Sequence, residues 1–161
     1  MSLTQDTAKC EIRILGNRHV GIDVQALCDR LDLVLGSRVA GVIMNQHEFR
    51  LGKEDAAKIR LEKPQATLRE IVDIMVEAER ASGVGVINVA APDKLLGPIE
   101  LEISNPCVKR AAGASEAFIF SYWCGVFSHL LGKEFKVNYA TYDGDRDLLK
   151  AEIVQRLVNQ E

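Results

Sequence analysis

One segment constrains this chain more than any other: Ala117-Phe-Ile-Phe-Ser-Tyr-Trp-Cys-Gly-Val-Phe-Ser-His-Leu-Leu131. It holds the only tryptophan, three of the five phenylalanines and one of the three tyrosines. Written on a helical wheel, no face of it is strongly polar. A helix apolar nearly all round must be covered on several sides, by a core, a second subunit or an apolar ligand. It is about 15 residues long, short of the ~20 that a membrane span needs, and Ser121, Ser128 and His129 interrupt it. No membrane span is expected.

The rest of the composition is that of an ordinary globular protein. Of 161 residues, 47% are hydrophobic and 27% charged, with a net charge of −3. That balance, with no run of lysine or arginine, gives no basic face for nucleic acid. Length favours one domain, placed at 10–161 after a disordered N-terminus over 1–9. The opening residues lack the apolar core of a signal peptide, so a cytoplasmic location is expected. Cys10, Cys28, Cys107 and Cys124 show no ligand-type spacing and are read as reduced thiols.

Periodicity divides the chain into elements. Cys10 to Leu15 alternates apolar and charged residues, as a short strand does, and Gly16-Asn17 would turn it. Asp23 is placed to cap a helix bearing Val24, Leu27, Cys28, Leu31, Val34 and Leu35. Gly36 would stop it and Ser37 start the next. The second helical stretch passes through Val39, Val42 and Ile43 toward Ile59. Its Gly41 and Gly52 indicate either a break or a close helix contact, and Pro64 ends it. Thr67-Leu-Arg-Glu70 is a capping box, followed by the apolar stripe Leu68, Ile71, Val72, Met75 and Val76. Gly83 would close that helix.

After Gly83 the period changes to that of strands. Val84 to Ala90 is β-branched and apolar. Ile99-Glu-Leu-Glu-Ile103 alternates strictly, which implies a sheet with one wet face and antiparallel pairing. Asn105-Pro106 would break it. Ser115 would cap the aromatic helix and Gly132 end it. In Phe135 to Thr141 the alternation puts Phe135, Val137, Tyr139 and Thr141 on one face, and Asp143-Gly144-Asp145 signals a turn. The tail fits either a helix, through Leu149, Ile153 and Leu157, or a strand closing a hairpin. The fold class is therefore α+β: an antiparallel sheet of three to five strands packed on one face against about four helices.

Few residues are arranged for chemistry. His19, His47 and His129 have no partners at zinc-ligand spacing, so no metal is expected. Cys124 could be a nucleophile, but no base accompanies it, and a free cysteine usually behaves as a small buried hydrophobe. Most carboxylates fall where a solvated face or a turn explains them. Gly83-Val-Gly85 lies between helix and strand, the reverse of a dinucleotide loop. No catalytic residue is assigned and no cofactor is indicated. What remains is the shared face of Phe120, Trp123, Cys124 and Phe127. Burying one such side chain contributes about 1.5–3 kcal/mol, so this face serves either as core and dimer seam or as the wall of an apolar ligand cavity.

The order of landmarks resembles the 4-vinyl-reductase domain family, which is related to the Bet-type subunits of the TRAPP vesicle-tethering complex. The resemblance rests on Leu35-Gly-Ser-Arg-Val-Ala-Gly-Val-Ile43, Leu51-Gly52, Ser82-Gly-Val-Gly-Val86 and Ile99-Glu-Leu-Glu-Ile-Ser-Asn-Pro106. Trp123-Cys-Gly-Val-Phe127, Leu131-Gly-Lys-Glu-Phe-Lys-Val137 and Gly144-Asp145 complete it. It implies an antiparallel sheet against helices, a hydrophobic cavity, a homodimer and a ligand-sensing role. It also places a final strand near Asp147–Val154. Family members commonly carry two cysteines flanking the last glycine; here those positions are Ala140 and Leu148, which argues against a cysteine-based metal or redox role. The expected function is thus the binding or sensing of an apolar small molecule without catalysis, through Phe120, Trp123, Cys124 and Phe127. A homo-oligomeric scaffold and a tetrapyrrole-processing enzyme component are the alternatives.

Overall fold

The computed structural model describes residues 3–6, 11–14, 17–19, 24–90, 97–107 and 118–156. Three short strands come first: β1 (Leu3–Asp6), β2 (Glu11–Ile14) and β3 (Asn17–His19) form an antiparallel sheet in that order. The strand expected at Cys10–Leu15 is β2. The first nine residues, expected to be disordered, include β1, which pairs Leu3 with Ile14 and Asp6 with Glu11.

Helix α1 (Val24–Leu35) follows, then α2 (Ser37–Glu62). Gly36 separates them at φ 77, a left-handed conformation that suits glycine, and its amide donates to the Asp32 carbonyl at 2.9 Å. It also takes the N-cap position of α2 with no side-chain cap, so Ser37 is the first helical residue rather than the cap. Helix α2 runs 26 residues without a break, about 39 Å at 1.5 Å per residue. At Gly52 the close helix contact, not a break, is the reading observed. The cap proposed for Asp23 lies outside the described residues.

The capping box forms as expected. The Thr67 amide donates to Glu70 Oε2 at 2.8 Å, and the Glu70 amide donates to Thr67 Oγ1 at 3.3 Å. These bonds occupy two of the N–H groups that every helix start leaves unpaired. Helix α3 (Leu68–Ala81) then buries Ile71, Val72, Met75 and Ala78 along one stripe.

The main sheet contains β4 (Val86–Ala90), β5 (Ile99–Ser104), β6 (Phe135–Asp143) and β7 (Leu148–Gln155), all antiparallel, in the order β4-β5-β7-β6. The ambiguous tail is therefore a strand. Its β-branched and apolar residues at 149, 151 and 153 meet Ile103, Leu101 and Ile99 across the β5–β7 ladder. One face of the sheet, with Ile87, Val89, Ile99, Leu101, Ile103, Leu149, Ala151 and Ile153, is buried. The other carries pairs such as Lys150 Nζ to Glu102, whose backbones stand opposite each other.

Strand β6 departs from the expected alternation. Its register with β7 shifts between Val137 and Tyr139, leaving Asn138 as an extra residue. A bulge flips every later side chain to the opposite face. Tyr139 is consequently 49% exposed, and Ala140 and Tyr142 pack on the core instead. Beyond the strand, Asp143 Oδ1 accepts from the amides of Asp145 (3.1 Å) and Arg146 (3.3 Å), the turn chemistry expected of Asp143-Gly144-Asp145.

Helix α4 (Phe118–Leu131) lies between α2 on one side and β6 and β7 on the other. The cap proposed for Ser115 lies outside the described residues. Among the described residues the architecture is α+β: four helices and a four-stranded antiparallel sheet, with a further three-stranded sheet at the N-terminal end.

Candidate functional site

Helix α4 is buried from Phe118 to Ser128 except at Ser121, which is half-buried. This burial is achieved within one chain, so α4 leaves no broad apolar surface for a seam. Two glycines make it possible. A Cβ on Gly52 of α2 would stand 2.0 Å from the Tyr122 carbonyl oxygen, and one on Gly125 of α4 would stand 2.0 Å from the Phe49 carbonyl oxygen. The two helices thus touch backbone to backbone. Side-chain bonds flank the crossing: Ser121 Oγ donates to Asn45 Oδ1 at 2.9 Å and Tyr122 Oη donates to Asp55 Oδ2 at 3.1 Å. The far end of α4 is held by Ser128 Oγ, which accepts the Phe135 amide at 3.0 Å.

Phe120, Trp123 and Phe127 are wholly buried, and Cys124 is 1% exposed. Trp123 and Phe127 have ring centroids 5.9 Å apart, and Phe127 and Phe135 6.3 Å. On the other side Tyr122 meets Trp123 edge to face at 6.1 Å. The helix therefore brings an aromatic row together from Tyr122 to Phe135. One polar atom in that row is left over: Trp123 Nε1 is buried and has no hydrogen-bond partner among the described residues. A buried donor without an acceptor costs about 1–3 kcal/mol.

Cys124 alone of the four also borders an open cleft of about 500 Å³, together with Asn45, Phe49, Ser121, Phe135 and Val137. Burial pushes its thiol up to about 12, so it stays protonated and is no thiolate nucleophile. Cys107 is pushed up to about 11, by burial first and then by the charge of Glu79.

Sequence reasoning missed a group of carboxylates on the inner side. Glu48 and Asp55 come from α2, two turns apart, and Glu79 comes from the end of α3. Burial, reinforced by Asp55, raises Glu48 to about 7. Burial, reinforced by Glu48 and Asp55, raises Glu79 to about 8. Tyr122 is raised above its ordinary range, by burial and then by Glu79 and Asp55, so its hydroxyl remains a donor to Asp55. By exposed surface, Glu79 is half-buried. The one sequence signal was the spacing of Glu48, Gly52 and Asp55, which share a helical face with Ala56 and Ile59.

Among the described residues, no group of three or more His, Cys, Asp or Glu is arranged to hold a metal ion, and no helix is long and apolar enough to cross a membrane. No family model and no curated protein sequence matches the chain. Among solved structures it is similar to the phenol-responsive sensory domain of the transcription activator PoxR, determined with phenol. The TM-score is 0.71 at 16% identity, over 99% of this chain and 87% of that one. It is also compared with a vinyl-4-reductase family protein from Methanocaldococcus jannaschii, at a TM-score of 0.47 and 16% identity over 68% of each chain. At this identity the PoxR match establishes a shared fold over nearly the whole chain.

Proposed function

We propose that this chain is a small-molecule sensing domain, non-catalytic, whose ligand sits against α4 with Phe120, Trp123, Cys124 and Phe127 as the apolar wall. The observation that carries this reading is the Trp123 indole N–H, sealed in an aromatic row without an acceptor. A domain that needed α4 only as core would be served better by phenylalanine there. A ligand with an acceptor atom would satisfy the N–H and remove its cost. The PoxR domain, which shares this fold, is named as phenol-responsive, and this supports a sensing role. The test is native mass spectrometry of gently purified protein, which should release a co-purified small molecule. Trp123→Phe keeps a ring and removes the donor. It should weaken binding of that molecule about threefold to tenfold, the range of one net hydrogen bond. Unchanged affinity in a folded Trp123→Phe protein would remove Trp123 from the wall.

A second reading concerns assembly as a cytoplasmic homodimer, in the manner the 4-vinyl-reductase resemblance implies. The supporting observation is an apolar ridge at the α1–α2 corner. Leu33 is 86% exposed and Val34 77%, with Leu35, Val39, Val42 and Ile43 exposed beside them. Clusters of this kind on a surface mark contact sites. Sedimentation of the chain should give a dimer that Leu33→Glu with Val34→Glu converts to monomer; a monomeric wild-type chain at high concentration would end this reading.

A further inference from the structure

The open cleft at Cys124 is a different place from the aromatic wall, since Phe120, Trp123 and Phe127 do not line it. Its volume of about 500 Å³ falls within the ~300–1,000 Å³ of small-molecule sites. Three elements build it. Phe49 of α2, Cys124 of α4, and Phe135 and Val137 of β6 give it an apolar floor. Hydrogen bonds hold these elements in place. Ser121 Oγ joins α4 to α2 through Asn45 Oδ1, and Ser128 Oγ accepts the Phe135 amide. The Arg156 amide donates to the Glu134 carbonyl at 2.7 Å, which ties the start of β6 to the end of β7. The mouth is charged unequally. Lys136 and Arg156 stand there with one carboxylate, Glu134. Glu134 is already opposed by Arg156 Nη1 at 3.8 Å, whereas Lys136 has no carboxylate partner among the described residues. On the α2 lip the exposed Gln46 carboxamide adds N–H donors. The chain as a whole carries −3, so a cationic excess over an apolar floor is a local feature of this cleft.

We propose that this cleft binds a small aromatic carboxylate, its ring on the floor formed by Phe49, Phe135 and Val137 and its carboxylate held by Lys136. A lysine ammonium and a carboxylate make a charge-assisted hydrogen bond, and the apolar floor removes the ring from water. A neutral ring would cover the floor and leave Lys136 unanswered. A cation would meet two positive groups and a carboxylate that Arg156 already opposes. The site lies on the outside of α4 and stands whether or not a second molecule is sensed against Trp123.

The experiment is titration of the full chain with 2-naphthoate, followed by amide chemical shifts, against 2-naphthalenemethanol and 2-naphthylmethylamine as neutral and cationic rings of similar size. The carboxylate should bind about threefold to tenfold more tightly than either, the range of one partly exposed charge-assisted hydrogen bond. Its shifts should centre on Gln46, Phe49, Lys136 and Val137. Lys136→Glu, at an exposed position, should abolish the preference while its circular dichroism stays that of the wild type. Lys63→Glu makes the same change of charge at the far end of α2 and should keep the preference. Trp123→Phe should leave naphthoate affinity unchanged, which separates this site from the aromatic wall. Equal binding of the three probes overturns the proposal, as does undiminished naphthoate affinity in a folded Lys136→Glu protein. Equal losses in Lys136→Glu and Lys63→Glu, shifts centred away from the cleft, or no binding of naphthoate at millimolar concentration overturn it as well.

Discussion

Replacing Gly52 by alanine should separate α2 from α4. The added Cβ would meet the Tyr122 carbonyl oxygen at 2.0 Å, its carbonyl carbon at 2.9 Å and the Val126 amide nitrogen at 3.1 Å. Even close C–H···O contacts hold carbon and oxygen about 3.3 Å apart, so the helices must part by more than 1 Å. The atoms struck belong to backbone and no rotamer change relieves them. Overpacking of this kind costs about 1–3 kcal/mol, and a backbone clash belongs at the upper end. Alanine returns up to about 1 kcal/mol of helix propensity, leaving a net loss of about 2 kcal/mol. In urea unfolding, with a slope of about 1–3 kcal/mol per molar, the midpoint should fall by about 1 M. Gly125→Ala should behave alike, and the double variant should cost less than the sum, since one parting of the helices relieves both contacts. Gly132→Ala separates contact from conformation. It has open space around it but φ 63, so it should lose only the roughly 1 kcal/mol of a strained backbone. If Gly52→Ala unfolds at the wild-type midpoint or above it, the two helices do not cross backbone to backbone.

Three other outcomes follow from the same geometry. Glu79 binds its proton more tightly folded than unfolded, so its burdening of the fold is absent below the ordinary 4.5 and grows as pH rises toward about 8. The wild-type melting temperature should therefore fall between pH 5 and pH 8.5 relative to that of Glu79→Gln; parallel curves would show that Glu79 is solvated. Thr67→Ala should cost about 1 kcal/mol at neutral pH, read by urea midpoint. Part of the wild-type advantage should vanish in acid, because Glu70, held below its ordinary value by its bonds to Thr67, protonates there. Past the β6 bulge, Ala140→Asp should destabilise far more than Tyr139→Ser in thermal melts, and the reverse order would restore the uninterrupted alternation.

Helix α3 and strands β4 and β5 were legible because local chemistry and tertiary demand agree there, whereas the residues of β7 fit a helix as well as a strand until pairing with β5 decides. Thr67 and Glu70 cap whatever lies beyond them, and the alternation at 99–103 fixes a buried face of a sheet. The β6 bulge was not legible, since Asn138 differs from its neighbours in nothing that spacing alone reveals. Nor was the continuity of α2: Gly41 and Gly52 read equally as breaks, and only the Tyr122 carbonyl across the crossing gives Gly52 its reason. The aromatic helix announced its burial but not its partners. Phe120, Trp123 and Phe127 were visible as a face, whereas Glu48, Asp55 and Glu79 belong to two helices whose mutual approach no single stretch encodes.

The glycine crossing and the carboxylates are linked through one residue. The Tyr122 carbonyl occupies the place where Gly52 lacks a side chain, while its hydroxyl reaches Asp55 one turn further along α2. The close approach thus fixes the Tyr122 backbone and aims its phenol at the acidic side of α2. Any parting of the helices would lengthen a 3.1 Å hydrogen bond and shift the ring against which Trp123 rests at 6.1 Å. A ligand lodged against Trp123 would act on the same crossing through α4. Since a packed crossing has few intermediate arrangements, a small displacement there would be transmitted along the whole of α2 to the exposed apolar corner at Leu33 and Val34. That route predicts coupling between the two ends: ligand binding should change the dimer dissociation constant of the chain, and Gly52→Ala should change it in the absence of ligand. Sedimentation with and without the co-purified small molecule would measure the first effect, and an unchanged constant in both experiments would show that the crossing carries no signal.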